Sequence, residues 1–204
     1  VMGRNRIYRG NIYLGGKALA DISEKSLMEH ITMVRHNSYL FKGTVEENLR
    51  MGNPKAGKAQ MEEVLRKVNL WDFLQQQEGL ETLLLEKGSN FSGGQCQRLC
   101  IARALLHETP VYIFDEAASN IDVESEEIIM EVIRELAETR TVLLISHRLA
   151  NVKKSDRIYV LKDGKIAGKH SELMEKQGVY ENMYQTQRNL EKYGLPKEER
   201  GKTA

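Results

Sequence analysis

Two stretches carry side chains whose types and spacing could do chemistry. They are Ser92-Gly93-Gly94-Gln95 and, shortly after the helix they open, Val111-Tyr112-Ile113-Phe114-Asp115-Glu116. Ser92 and Gln95 have the spacing of a helix N-terminal capping box. The two glycines between them let a backbone approach closely at a helix end whose free N–H groups favour anions. The second stretch is a short apolar strand ending in two acids, and open parallel sheets keep their ligands at the carboxyl ends of their strands. Both patterns make physical sense around a nucleotide phosphate.

The elements that must position these residues can be read from periodicity. A helix opened by Ser92 is expected to run to about Leu106, with Leu99, Ala102, Leu105 and Leu106 on an apolar side. Asp122 caps the next expected helix, whose Ile128, Ile129, Val132, Ile133 and Leu136 form one stripe. Ile31 to Val34 and Thr141 to Ile145 read as core strands, the latter delivering His147 to the edge that carries Asp115 and Glu116. Thr44-Val45-Glu46-Glu47 is a second capping-box pattern, followed by Met61, Val64, Leu65 and Val68 at helical spacing. Asp163-Gly164 between two strand-like runs signals a hairpin.

Composition narrows the function. At 204 residues the chain holds one domain with a sizeable core. A net charge of +1, from 30 basic and 29 acidic side chains, gives no argument for a nucleic-acid partner. No apolar run approaches the roughly 20 residues that cross a bilayer. Cys96 and Cys100 are the only cysteines, and their i, i+4 spacing reads as packing on one helix face rather than a metal site or a disulfide.

Taken together, the motifs resemble the nucleotide-binding domain of ABC transporters. Ser92 to Gln95 is similar to the family's L-S-G-G-Q signature, with Phe91 for Leu. Val111 to Glu116 resembles the Walker B strand and its following glutamate. Ser119-Asn120-Ile121-Asp122 is similar to the D-loop, and Ile145-Ser146-His147-Arg148 to the switch-histidine segment. Arg35 to Phe41 resembles the Q-loop, with His36 standing where the family has glutamine. Thr44 to Leu49 is similar to a segment typical of ABC exporters, and Thr82 to Gly88 to a stretch that lies near an exporter's coupling helices.

The resemblance implies an α/β fold, a mostly parallel sheet flanked by helices, as in a P-loop NTPase-like core. Its expected organisation is a single ABC ATPase domain: a core segment with the Q-loop over 1–43, a helical subdomain over 44–89, a signature, Walker B, D-loop and switch-histidine core over 90–170, and a C-terminal helix and tail over 171–204. It implies ATP and Mg2+ as cofactors, Asp115 holding the metal, and Glu116 and His147 as catalytic residues. Ser92, Gly93, Gly94 and Gln95 would contact ATP held by a second nucleotide-binding domain, with His36 and Asp122 completing the nucleotide site. The other implied partner is the transmembrane part of an exporter, which places the domain at the cytoplasmic face of a membrane.

One family motif has no counterpart. No G-x-x-x-x-G-K-[ST] phosphate loop occurs anywhere in the 204 residues. On the resemblance, Val1-Met2-Gly3 corresponds to the last turn of the helix after that loop and Gly10 to Gly16 to the strand that follows it, so the core is expected to be truncated at its N-terminus and its sheet to lack a central strand. The isolated chain is therefore expected to be inactive, while the complete protein hydrolyses ATP to drive export. The alternative is a non-catalytic regulatory or signature-donor module that pairs with an intact domain.

Overall fold

The strands that carry the acids sit where the apolar patterning puts them. The computed structural model describes residues 10–152, 154–162 and 165–169, with isolated positions beyond. In chain order it contains β1 (Tyr13–Leu14), β2 (Lys17–Ala18), α1 (Glu24–His30), β3 (Ile31–Arg35), β4 (Gly43–Thr44), α2 (Val45–Arg50), α3 (Lys58–Lys67), α4 (Trp71–Gln75), β5 (Leu83–Leu84), α5 (Gly93–Leu106), β6 (Val111–Asp115), α6 (Val123–Ala137), β7 (Thr141–Ile145), α7 (Leu149–Val152), β8 (Tyr159–Lys162) and β9 (Lys165–Lys169). Two compact units divide at residue 145.

In the first unit β3, β6 and β7 form a parallel sheet with β6 in the centre. Alternation along the strands divides the side chains between two layers. Val34, Tyr112 and Phe114 join a large core with α2 to α6, whereas Ile31 and Ile113 pack with Leu19 and Leu27 on the other side. Parallel strands are stable only when both faces are covered, and this sheet has the expected α/β layering. α5 packs against β3, α2, α3 and α6. It therefore buries Gln97, Cys100, Ile101 and Ala104 as well as Leu99, Ala102 and Leu106, a wider face than a single stripe.

Local chemistry starts and stops these elements as the side chains require. Ser23 caps α1 by accepting from the Ser26 N–H at 3.2 Å. At α2 the Thr44 hydroxyl accepts from Glu47 N–H (3.1 Å) while the Glu47 carboxylate accepts from Thr44 N–H (2.8 Å), a complete capping box. Thr32 and Thr109, both buried, are satisfied together: the Thr109 hydroxyl lies 2.8 Å from Thr32 Oγ1, which also meets His107 Nδ1 at 2.9 Å.

The structure departs from the sequence reading at two places. Gly10 to Gly16 is not one strand: the chain reverses at Gly15 and Gly16, whose φ values of 56° and 80° suit a tight turn, and β1 pairs antiparallel with β2. β7 has alternate residues exposed, Leu143 at 46% and Ile145 at 43%, and among the described residues it pairs only with β6. A parallel strand of this composition is usually covered on both sides.

The second unit contains α7 and the antiparallel pair β8–β9 expected from the Asp-Gly signal. Asp163-Gly164 themselves lie outside the described residues. So do Val1 to Gly3 and most of the C-terminal helix and tail expected over 171–204.

Candidate functional site

The parallel register builds the first part of the site. Arg35, Asp115 and Ile145 are aligned partners at the carboxyl ends of β3, β6 and β7. Asp115 therefore faces Arg35 across the ladder, with Nε of Arg35 3.6 Å from Oδ2. The main chain then couples the strands: His36 N–H donates to the Asp115 carbonyl at 3.2 Å, and Glu116 N–H donates to the Ile145 carbonyl at 3.0 Å.

Glu116 has φ 52°, a left-handed conformation uncommon for a side chain of its size. Such a residue costs of order 1–3 kcal/mol and persists only where its surroundings fix it. Here they do, because its N–H bonds Ile145 and its carbonyl accepts from Ser119 N–H at 3.0 Å. The left-handed residue turns the backbone out of the strand immediately after Asp115.

His36 is exposed in the loop after β3. Its neighbours are held: the Ser38 hydroxyl donates to the Arg35 carbonyl at 2.9 Å and accepts from Arg35 N–H at 3.1 Å. Gln97 of α5, 5% exposed, donates from Nε2 to the same carbonyl at 3.1 Å. His147 belongs to the second unit, exposed and two residues past the end of β7, in a turn where Arg148 N–H donates to Ser146 Oγ at 3.0 Å.

The signature residues form a second cluster at the start of α5. Ser92 Oγ accepts from Gln95 N–H (3.1 Å), and Gln95 Oε1 accepts from Ser92 N–H (2.8 Å). The two glycines between them have different surroundings. A Cβ on Gly93 would meet nothing within 4 Å, whereas one on Gly94 would lie 2.5 Å from Asp122 Oδ2 and 2.7 Å from Ser125 Cβ. Gly93 keeps an open approach, and Gly94 is where α5 touches the start of α6. Asp122 caps α6 by accepting from Ser125 N–H at 2.8 Å, and bonds from the Ser125 backbone and hydroxyl hold its carboxyl below the ordinary range.

The cysteines are packing groups. The Cys96 thiol points to the Gly88 carbonyl at 3.3 Å and that of Cys100 to the Ser38 carbonyl at 3.7 Å. Burial pushes the Cys100 thiol up to about 11. Thiolate is the reactive form, so at pH 8 only about one Cys100 in a thousand is ionised. Iodoacetamide at that pH is expected to spare Cys100 in the folded chain and modify it rapidly in urea. Equal rates in the two states would contradict its burial.

Sequence reasoning gave no role to Arg35 or Gln97. Arg35 stood only as the first residue of the Q-loop resemblance, and only the strand register shows that it must stand beside Asp115.

A sequence profile described as ABC transporter matches residues 1–119. Among curated proteins, an "Uncharacterized ABC transporter ATP-binding protein" of Haemophilus influenzae is 48% identical over 193 residues, which is 94% of this chain and 34% of that protein. A "Putative multidrug export ATP-binding/permease protein" of Staphylococcus aureus is 40% identical over 181 residues, 87% of this chain and 31% of that protein. Among solved structures, a bacterial Atm1-family ABC exporter with ATP bound superposes with a TM-score of 0.81 at 32% identity, over 88% of this chain and 32% of that one. The chain thus spans about a third of the length of each. With more than half of its residues matched by the profile, and with the α/β core described above, the chain belongs to the ABC transporter family.

Proposed function

We propose that this chain is the ATP-binding domain of an ABC exporter, acting at the cytoplasmic face of a membrane beneath transmembrane segments and paired with a second nucleotide-binding domain. The observation that carries this reading is the strand register that sets Asp115 and Glu116 at the carboxyl end of β6, level with the end of β3 that leads into His36. None of the described helices is long and apolar enough to cross a membrane.

Mg2+ typically binds through one or two carboxylates, completing its shell with water and substrate phosphates. Among the described residues no three acids, histidines or cysteines gather into a metal cage. A lone Asp115 at the strand end fits a metal that arrives with a nucleotide. Asp115 would hold Mg2+, which supplies charge neutralisation of the phosphates. Glu116 would orient or deprotonate the attacking water, with His36 and His147 as hydrogen-bonding groups beside the terminal phosphate. Ser92, Gly93, Gly94 and Gln95 would close over ATP held by the partner domain, with the open face of Gly93 giving the phosphates access to the N–H groups of α5. Asp122 would act where the two domains meet.

A groove of about 410 Å³ runs between β3, α5 and the loop before α2, lined by Tyr39, Phe41, Met51, Arg103 and His107 among others. Its exposed aromatic and methionine side chains suit an apolar partner, and we assign it to the transmembrane part of the exporter.

Two measurements test the reading. Calorimetric titration of this chain with magnesium and a slowly hydrolysed ATP analogue is expected to show no micromolar binding, because its sequence contains no phosphate loop. Titration in the presence of an intact nucleotide-binding domain is expected to restore it. In the full-length protein, Glu116→Gln is expected to lower hydrolysis by about 100-fold or more. Turnover by this chain alone that is lost on Glu116→Gln would overturn the expectation that it does not bind ATP by itself. Undiminished turnover in the full-length variant would overturn the role of Glu116.

A further inference from the structure

We propose that Arg35 is a cationic latch on Asp115: its guanidinium sits where a divalent cation would neutralise the carboxylate, and the cation binds only as Arg35 withdraws. The inference rests on the reading of Asp115 as the metal-binding acid and adds a control element to that site.

The pair is built into the fold. Arg35 and Asp115 are the last residues of β3 and β6 and are direct partners in the parallel ladder, so their side chains leave the sheet on the same face. The Arg35 backbone is pinned by Ser38 on both its N–H and its carbonyl, and by Gln97 on the carbonyl. Only the side chain is left to move. It can do so, because half of it is exposed to solvent, against 28% for Asp115.

Charge makes the two occupants compete. A guanidinium 3.6 Å from Oδ2 neutralises Asp115, and a divalent cation brought to the same carboxylate would meet it as a like charge. The absence of a metal cage among the described residues leaves a cation alone with too little to displace Arg35 cheaply. The latch therefore biases the site against metal alone and in favour of metal that arrives with an anion able to receive the freed guanidinium. Exposed ion pairs are weak, which sets the size of the effect at a few-fold rather than a block.

The test uses Mn2+ without nucleotide and reads paramagnetic broadening of the backbone amides of Asp115 and Glu116. Arg35→Met keeps the alkyl stem and removes the charge. It is expected to lower the Mn2+ concentration for half-maximal broadening by about two- to fivefold, while Arg35→Lys stays near the parent value. Lys67→Met on α3, with the same change in net charge, is expected to leave it unchanged. Adding Asp115→Asn to Arg35→Met should abolish the gain. If Arg35→Met matches the parent while Asp115→Asn removes the broadening, the latch is overturned and the metal role of Asp115 stands. If Asp115→Asn leaves the broadening of the Arg35→Met chain intact, the metal role itself fails and the latch with it. Dispersed amide spectra of each variant confirm folding.

Discussion

Gly94→Ala is expected to destabilise the fold by about 3 kcal/mol, although intrinsic helix propensity alone would favour alanine inside a helix by up to ~1 kcal/mol. Gly94 is buried and helical, so the loss is steric rather than conformational. The added methyl would fall 2.5 Å from Asp122 Oδ2, 2.7 Å from Ser125 Cβ and closer still to Ser125 Oγ. These atoms cannot simply swing aside, because Asp122 Oδ1 caps α6 through the Ser125 N–H. Relief requires both breaking that cap, which costs about 1 kcal/mol, and separating α5 from α6 to clear Ser125 Cβ, an overpacking cost of about 1–3 kcal/mol. A domain of this kind has only about 5–15 kcal/mol in total.

The control for that experiment is Gly93→Ala one residue earlier, where the methyl meets open space. It is expected to change stability by about 0.5 kcal/mol or less. Urea denaturation of both variants reads the contrast directly, and equal midpoints would contradict the packing of Gly94 on Asp122. On the proposed function the ranking in a nucleotide-binding assay differs, since a methyl at Gly93 would obstruct the open helix end while leaving stability alone. One signature thus contains a glycine kept for a neighbour in the same chain and a glycine kept for approach from outside.

That distinction shows what could be read in the sequence and what could not. The capping boxes at Ser92–Gln95 and Thr44–Glu47 were legible because a cap is local: four residues specify it, and both form with both bonds present. The strands carrying Asp115 and Ile145 were legible because short runs of branched and aromatic residues between breakers have few alternatives in a chain that also shows helical periodicity. Gly94 could not be told from Gly93, since its reason is a contact with Asp122, 28 residues away. The Arg35–Asp115 pair is likewise a product of register, which no short-range pattern encodes. Gly15-Gly16 failed for a different reason: two glycines can end a strand or reverse it, and only the pairing of Tyr13 with Ala18 decides.

Asn48→Asp is expected to be as damaging as Gly94→Ala through the opposite kind of error, the exchange of one heavy atom with no change of shape. Asn48 is 1% exposed and uses its whole amide: Oδ1 accepts from Phe41 N–H at 2.9 Å, and Nδ2 donates to the carbonyls of Phe41 (2.9 Å) and Thr44 (3.0 Å). It closes the segment that displays Phe41 and its edge-on neighbour Tyr39 on the groove. An ionised carboxylate there would turn an oxygen toward two carbonyl oxygens in a buried site. The expected cost near neutral pH is about 3 kcal/mol or more. The pH dependence identifies the mechanism. Burial and the two carbonyls raise the introduced carboxyl above its unfolded value of about 3.9, so the protonated form, which can still donate one bond, is favoured in the folded state. The penalty is therefore smallest below the unfolded pKa and grows as pH rises through the folded one. Urea midpoints of variant and parent should converge as pH falls and diverge toward neutrality, whereas Asn48→Ala, with no group to titrate, should hold a constant gap. A pH-independent gap for Asn48→Asp would show that the amide is not bonded to those carbonyls.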